Sequence, residues 1–301
     1  MPHENINIKD IYENYLRAML QVQSYQRDID RSTKSEVGQL QQKLDGLSTH
    51  DAEKINSVSN FFFKKPGDGR TVFYGSRKSS ANDRIKASIK RKNKHYQWLL
   101  AEAYEEFEDF LENIYAYLAF HDHDAWPLSD YGNIHLSELK SKSFEWLQNQ
   151  ASKKKSGPEI LNYLRTKFPQ MAYIEKNNKI TDDLRFTLAT IEMFRHIIVH
   201  NGGKIKDKEA FTNNIFKKVG EATPRKAEDE RLEYLNSFIE NHQSGNTIVL
   251  LEAHIKTEGL ITTYADRIGH LFDSMHAYAY FVSSILGVTY ESDVIDISKP
   301  E

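Results

Sequence analysis

Apolar residues recur three and four positions apart along most of this chain, a spacing that lays them on one face of a helix. Between Ile6 and Ile29 the stripe is Ile8, Ile11, Tyr15, Met19 and Val22. A second helix is predicted after Thr33, where Thr33 and Glu36 have capping-box spacing and Val37, Leu40, Leu44 and Leu47 line one face. A third, shorter helix is predicted over 51–63, so residues 1–63 read as an N-terminal helical arm. Leu100, Tyr104, Phe107, Leu111, Ile114 and Leu118 then step by four and three through a long helix over 96–120. Shorter helices follow over 136–150 and 158–168, the second with Pro158 in its first turn.

A helix over 182–200 has Thr181 as its cap, two aspartates in its first turn and Gly202-Gly203 as its stop. Residues 204–246 read as polar and irregular apart from a helix over 228–241, and 247–251 has a β-like composition. The closing helix, 261–286, carries Ile261, Tyr264, Ile268, Leu271, Met275, Tyr278, Val282 and Ile285. The predicted fold class is all-α: an up-and-down helical bundle over 95–290 with the extra N-terminal arm and room for one short strand near 247–251.

Charge changes this picture in one place. The 301 residues sum to −3, yet 64–94 holds eleven Lys and Arg against Asp68 and Asp83, a net of +9 that leaves −12 elsewhere. The segment opens on Lys64-Lys65-Pro66-Gly67-Asp68-Gly69-Arg70, a turn signal, and reads as a basic connector between arm and bundle. Cysteine is absent, which excludes disulfide frameworks, thiolate zinc sites and cysteine nucleophiles and fits a reducing compartment. No signal peptide is read at the N-terminus, and apolar runs such as 278–288 are too short and too polar to span a bilayer, so a cytoplasmic protein away from membranes is expected. No phosphate-binding glycine loop and no nucleophile elbow is found. His121-Asp122-His123-Asp124 has metal-friendly residue types, but at i, i+2 spacing in a loop without a matching cluster, so no metal or cofactor is expected.

The informative stretch is Phe194-Arg195-His196-Ile197-Ile198-Val199-His200-Asn201-Gly202-Gly203. One stripe of its helix is Leu184, Leu188, Ile191, Arg195 and Ile198; another is Phe186, Ala189, Met193, Ile197 and His200. An arginine and a histidine thus take seam positions on a helix that is apolar around most of its circumference, which predicts burial. A buried charge needs a partner or a use. At the helix C-terminus the macrodipole favours the imidazolium of His200, which suits it to acid/base work. Five residues correspond to about 140° around a helix, so Arg195 and His200 converge more easily where two copies of the helix meet. Plainer readings are a salt bridge or snorkelling side chain for Arg195 and a cap for His200.

Arg195-His196-Ile197-Ile198-Val199-His200 resembles the R-x(4–6)-H signature of the HEPN superfamily, with a polar residue after the arginine and Asn201-Gly202-Gly203 closing the helix. The acidic helix containing Tyr104-Glu105-Glu106-Phe107-Glu108-Asp109-Phe110-Leu111 resembles an early bundle helix of that family, and the helix from Ile261 its last, so the resemblance spans about 85–288. It implies a HEPN-like bundle and a metal-independent endoribonuclease, a toxin or antiviral-defence effector that cleaves RNA, with tRNA a candidate, to 2′,3′-cyclic phosphate and 5′-hydroxyl ends.

It also implies roles. His200 would be the general acid/base and Arg195 the stabiliser of phosphoryl charge. His196 and Asn201 would support them, with Glu108, or less favourably Glu105, pairing with Arg195. A homodimer with the motif helices facing across the two-fold is expected, and an antitoxin or regulatory partner. Lys86, Lys90, Arg91, Lys92 and Lys94, with Lys204 beyond the glycines, are candidates for RNA phosphates. Phe73, Tyr74, Tyr96 and Trp98 are candidates for base stacking. The alternatives are a non-catalytic HEPN-like module that binds nucleotide, RNA or a protein partner, and a helical interaction protein in which the motif is fortuitous.

Overall fold

Several helices of this chain open on short polar caps, among them Ser143, Asp183, Asp207 and Asp266, and two close on left-handed glycines, Gly202 and Gly220. The computed structural model describes residues 6–47, 56–220, 225–242, 245–255 and 263–288. Among these it contains helices α1 (Ile8–Leu44), α2 (Ala81–His121), α3 (Leu136–Leu139), α4 (Phe144–Lys154), α5 (Gly157–Lys167), α6 (Gln170–Ile174), α7 (Leu184–Asn201), α8 (Lys208–Val219), α9 (Arg225–Asn236) and α10 (Arg267–Ile285). Short strands interrupt them: β1 (Asn56–Lys64), β2 (Thr71–Ser80), β3 (Lys204–Ile205), β4 (Ile239–His242), β5 (Gly245–Ile248), β6 (Ala253–Ile255) and β7 (Thr263–Ala265). No described helix is long and apolar enough to cross a membrane. The chain is mostly helical, as its periodicity predicts.

Two compact units divide it: Met1–Gln23 with Gln97–Glu301, and Ser24–Tyr96. In the larger unit the first turns of α1 bury Tyr12, Tyr15 and Met19, and the Tyr15 ring lies 6.2 Å from Phe107 and 5.1 Å from Phe110 of α2. Val282, Tyr278 and Met275 of α10 and Ile191, Phe194 and Ile198 of α7 join this core. β3, β5 and β4 form a small antiparallel sheet in that order. In the smaller unit β1 and β2 form an antiparallel hairpin with a bulge between Phe61 and Phe62. There Lys92 of α2 is bound to Asp30 of α1 at 2.7 Å, and Arg91 to Glu36 at 2.6 Å.

Several expectations are corrected. The two helices predicted over 6–29 and after Thr33 are one helix, because Asp30 is held by Lys34 one turn on and by Lys92, and no cap forms at Thr33. The predicted 51–63 helix is β1 over its described part, and much of the 64–94 connector is strand β2 and the first turns of α2. The region 204–246 holds a further helix, α8, which buries Phe211, Ile215 and Val219 and so is not irregular there. α10 starts at Arg267 behind the cap Asp266.

A buried ionic contact lies at Glu175, at the end of α6. Its side chain is fully buried, and Oε1 accepts from Arg165 Nε of α5 at 2.7 Å and from the Tyr278 hydroxyl of α10 at 2.6 Å. Its backbone carbonyl accepts from Leu184 N–H, the first residue of α7, at 3.1 Å. Burial works against the Arg165 charge, but Tyr278 and Glu175 outweigh it and hold the guanidinium above its ordinary pKa. Replacing Arg165 by Met leaves a buried carboxylate without a cation, which costs about 3–5 kcal/mol. Urea unfolding of Arg165→Met should show that loss, and Arg165→Met/Glu175→Gln should recover part of it.

Candidate active site

α7 carries the motif and is fixed at both ends. At its start Asp183 accepts from Phe186 N–H at 3.0 Å as the cap, in place of Thr181, and also from Arg231 Nε at 2.8 Å. The Arg231 guanidinium lies over the Phe186 ring at 5.2 Å. Leu184, Leu188, Ile191, Phe194 and Ile198 form the buried face, and the Phe194 ring is parallel to Phe211 of α8 at 6.1 Å.

At its end Gly202 adopts φ 63° and its N–H returns to Ile198 O, while Gly203 N–H returns to Ile197 O. Gly203, at φ 82°, accepts on its carbonyl from Ile248 N–H of β5 at 3.0 Å. The buried Gln97 of α2 lies against Gly203 and donates from Nε2 to Ile248 O at 2.7 Å. A Cβ at position 203 would fall on the Gln97 amide. The second glycine of the motif is therefore required by a three-way clasp of α7, β5 and α2.

The expectation of a buried arginine and histidine is corrected. The Arg195 side chain is 30% exposed and paired to Glu105 of α2, Nε donating to Oε1 at 2.8 Å and Nη2 to the same oxygen. Desolvation works against the Arg195 charge, and Glu105 outweighs it, with Glu108 and Tyr104 behind, so its pKa lies above the arginine range. Glu108 is engaged elsewhere: Oε1 accepts from Gly157 N–H at the start of α5, 3.2 Å away. Burial pushes the Glu108 carboxyl up, and the Gly157 bond only partly offsets it. Both glutamates lie on the same side of α2, three residues apart, and the tertiary fit selects Glu105.

His196 and His200 share the outer face of α7 one turn apart, both exposed, with ring centroids 4.7 Å apart and planes at 53°. Val199 beside them is 41% exposed, and Met193 and Ile197 are partly so. Asn201 is half-buried at the last turn, and Lys204 is exposed on β3. The structure thus brings His196 and His200 together and ties Arg195 to Glu105. Of the residues of interest for RNA, Lys86, Lys90, Arg91, Phe73, Tyr74 and Trp98 are exposed and Lys94 is half-buried. Lys92 and Tyr96 are buried, Lys92 against Asp30, so neither is open to a ligand.

In the loop after α2, Asp122 caps a 3₁₀ turn through Asp124 N–H, and His123 Nδ1 is 2.9 Å from Ala119 O. Among the described residues no group of three or more histidines and carboxylates is placed to hold a metal ion.

Gly203→Ala should destabilise the fold by about 2–4 kcal/mol, combining left-handed strain with disruption of the Gln97 bond. Gly220→Ala, at φ 73° with the Arg185 guanidinium 3.8 Å from the added Cβ, carries the strain alone and should cost about 1–2 kcal/mol. Urea unfolding of the two variants reads the difference. Scans against family models and searches of curated proteins and of solved structures returned no match to this chain.

Proposed function

We propose that this chain is a metal-independent endoribonuclease of the HEPN type, acting as a homodimer, in the setting of a toxin or defence effector. The observation that carries the reading is the outer face of α7. Arg195, His196 and His200 stand outside the core on one helix, next to exposed Val199, although that helix is apolar around most of its girth. A scaffold helix has no packing need for three such side chains in one turn and a half.

The chemistry follows from the residue types. His200 takes the proton of a ribose 2′-hydroxyl, the 2′-oxygen attacks phosphorus, and the 5′-oxygen leaves with a proton supplied by an imidazole. A 2′,3′-cyclic phosphate and a 5′-hydroxyl result. Arg195 exchanges one carboxylate oxygen of Glu105 for a non-bridging phosphate oxygen and stabilises the charge that builds there. His196, one turn from His200, is placed to hold the phosphate or to serve the opposite half of the reaction. A second copy of α7 packed over Val199 would bring one chain's arginine towards the other's histidine, which the 140° offset on a single helix disfavours.

One observation favours a second reading. Glu105 satisfies Arg195 within the chain, as it would in a non-catalytic module that binds nucleotide, RNA or a protein partner. RNA cleavage in EDTA separates the two. Wild type should cut tRNA or total RNA to cyclic-phosphate and 5′-hydroxyl ends, and Arg195→Ala and His200→Ala should each slow it by about 100-fold or more. A folded wild-type dimer that cuts neither substrate would support the binding module. Cleavage that survives both substitutions would put the active site elsewhere.

A further inference from the structure

The smaller unit holds two features that the fold does not use. The first is the β1–β2 hairpin. Phe61, Phe62, Phe63, Phe73 and Tyr74 are between 41% and 64% exposed. Paired residues share a face of a ribbon, so Phe62 and Phe73, with rings 5.5 Å apart, lie on one side. The bulge leaves Tyr74 unpaired and sets it against Phe61 and Phe63, at 5.8 and 6.1 Å, on the other side. An isolated two-stranded ribbon is marginal in water, and one with aromatic rings on both faces calls for a ligand.

The second feature is a cleft of about 570 Å³ lined by Arg77 of β2 and by Lys86, Lys90, Arg91, Lys94 and His95 of α2. Asp83, its one carboxylate, is taken up at the start of α2 by the backbone and hydroxyl of Ser80 at 3.0 and 2.8 Å. Lys86, Lys90 and Lys94 repeat every fourth residue, about 6 Å apart along the axis. Like charges at that spacing destabilise a helix, and a polyanion laid along them relieves the cost.

We propose that this unit is a single-stranded RNA-binding surface, with the phosphates running along Lys86, Lys90, Lys94 and Arg77 and the bases stacked on the hairpin rings. RNA as the polymer rests on the ribonuclease reading; the choice of single over double strand rests on the rings. Duplex bases hide their faces, and the A-form major groove is too narrow for side chains to read. A lipid surface would meet rings on only one side of the ribbon, whereas unpaired bases can stack on both. A second copy of the hairpin would bring Lys64, Lys65, Arg70, Arg77 and Lys78 against themselves.

The test uses the full chain with Arg195→Ala, so that bound RNA is not cut, and fluorescence anisotropy with an unstructured 15-nucleotide RNA. The same RNA annealed to its complement, and phosphatidylserine vesicles, serve as the other arms. Single strand should bind at least about tenfold tighter than duplex, and Phe62→Ala/Phe73→Ala should weaken it by about 10- to 100-fold without changing its salt dependence. Arg77→Ala/Lys86→Ala/Lys90→Ala should flatten the slope of log affinity against log salt by about 2. Equal binding of duplex, parental binding by both variants, or binding to vesicles but not to RNA would each overturn the proposal. Binding that responds to these substitutions in a chain whose wild type cuts no RNA would uphold this site and remove the nuclease. Arg195-dependent cleavage with binding indifferent to them would do the reverse.

Discussion

A carboxylate with no exposed surface organises the larger unit. Glu175 cannot be buried as an ion unless a cation and a donor meet it, and Arg165 and Tyr278 do so from two helices far apart in sequence. Such a pair contributes little net stability compared with apolar side chains of similar volume, but it tolerates few alternative arrangements. α5 and α10 must approach α6 from set directions for one oxygen to accept from both. Because the same residue's backbone also receives the first N–H of α7, the motif helix inherits its starting point from that ion pair.

The far end of α7 is positioned by a different kind of contact, without charge. Gln97, Gly203 and Ile248 close on one another through backbone groups and a single buried amide. Between these two fixed ends the helix rolls its apolar side onto Phe211 and Phe238 and leaves Arg195, His196, Val199 and His200 outside. The orientation of the polar side chains is thus a consequence of how the ends are held and not of any contact the polar residues make with one another. The acidic face of α2 then supplies Arg195 with its partner.

Much of this helix was legible in the sequence. Its aspartates, its apolar stripe and its glycine stop mark an 18-residue helix within two positions at its N-terminus and one at its C-terminus, and Pro158 marks the first turn of α5, whose ends fall within one position of the predicted 158–168. The misreadings have physical causes. Phe61-Phe62-Phe63 has no alternation because the hairpin has no buried side, so period two never appears, and the bulge at Tyr74 breaks the register further. Thr33 and Glu36 have the spacing of a cap, yet Asp30 before that point is bound to Lys34 just past it and to Lys92 of α2, and the helix continues. α8 sets Phe211, Ile215, Phe216 and Val219 among lysines and asparagines and buries only three of them, so its stripe is short. Seam positions suggested that Arg195 and His200 are buried, but periodicity cannot tell which part of a nearly all-apolar helix is left uncovered. The resemblance favours Glu108 over Glu105 as the partner of Arg195, and the packing of Gly157 against Glu108 reverses that order.

The Arg195–Glu105 pair also has a kinetic meaning. Both side chains are partly open to water, and exposed side chains change rotamer on the picosecond-to-nanosecond scale. Exchange of one anion for another at the guanidinium needs no movement of backbone, no lid and no local unfolding. Access to this arginine is governed by competition among anions, so it should respond to ionic strength sooner than to temperature.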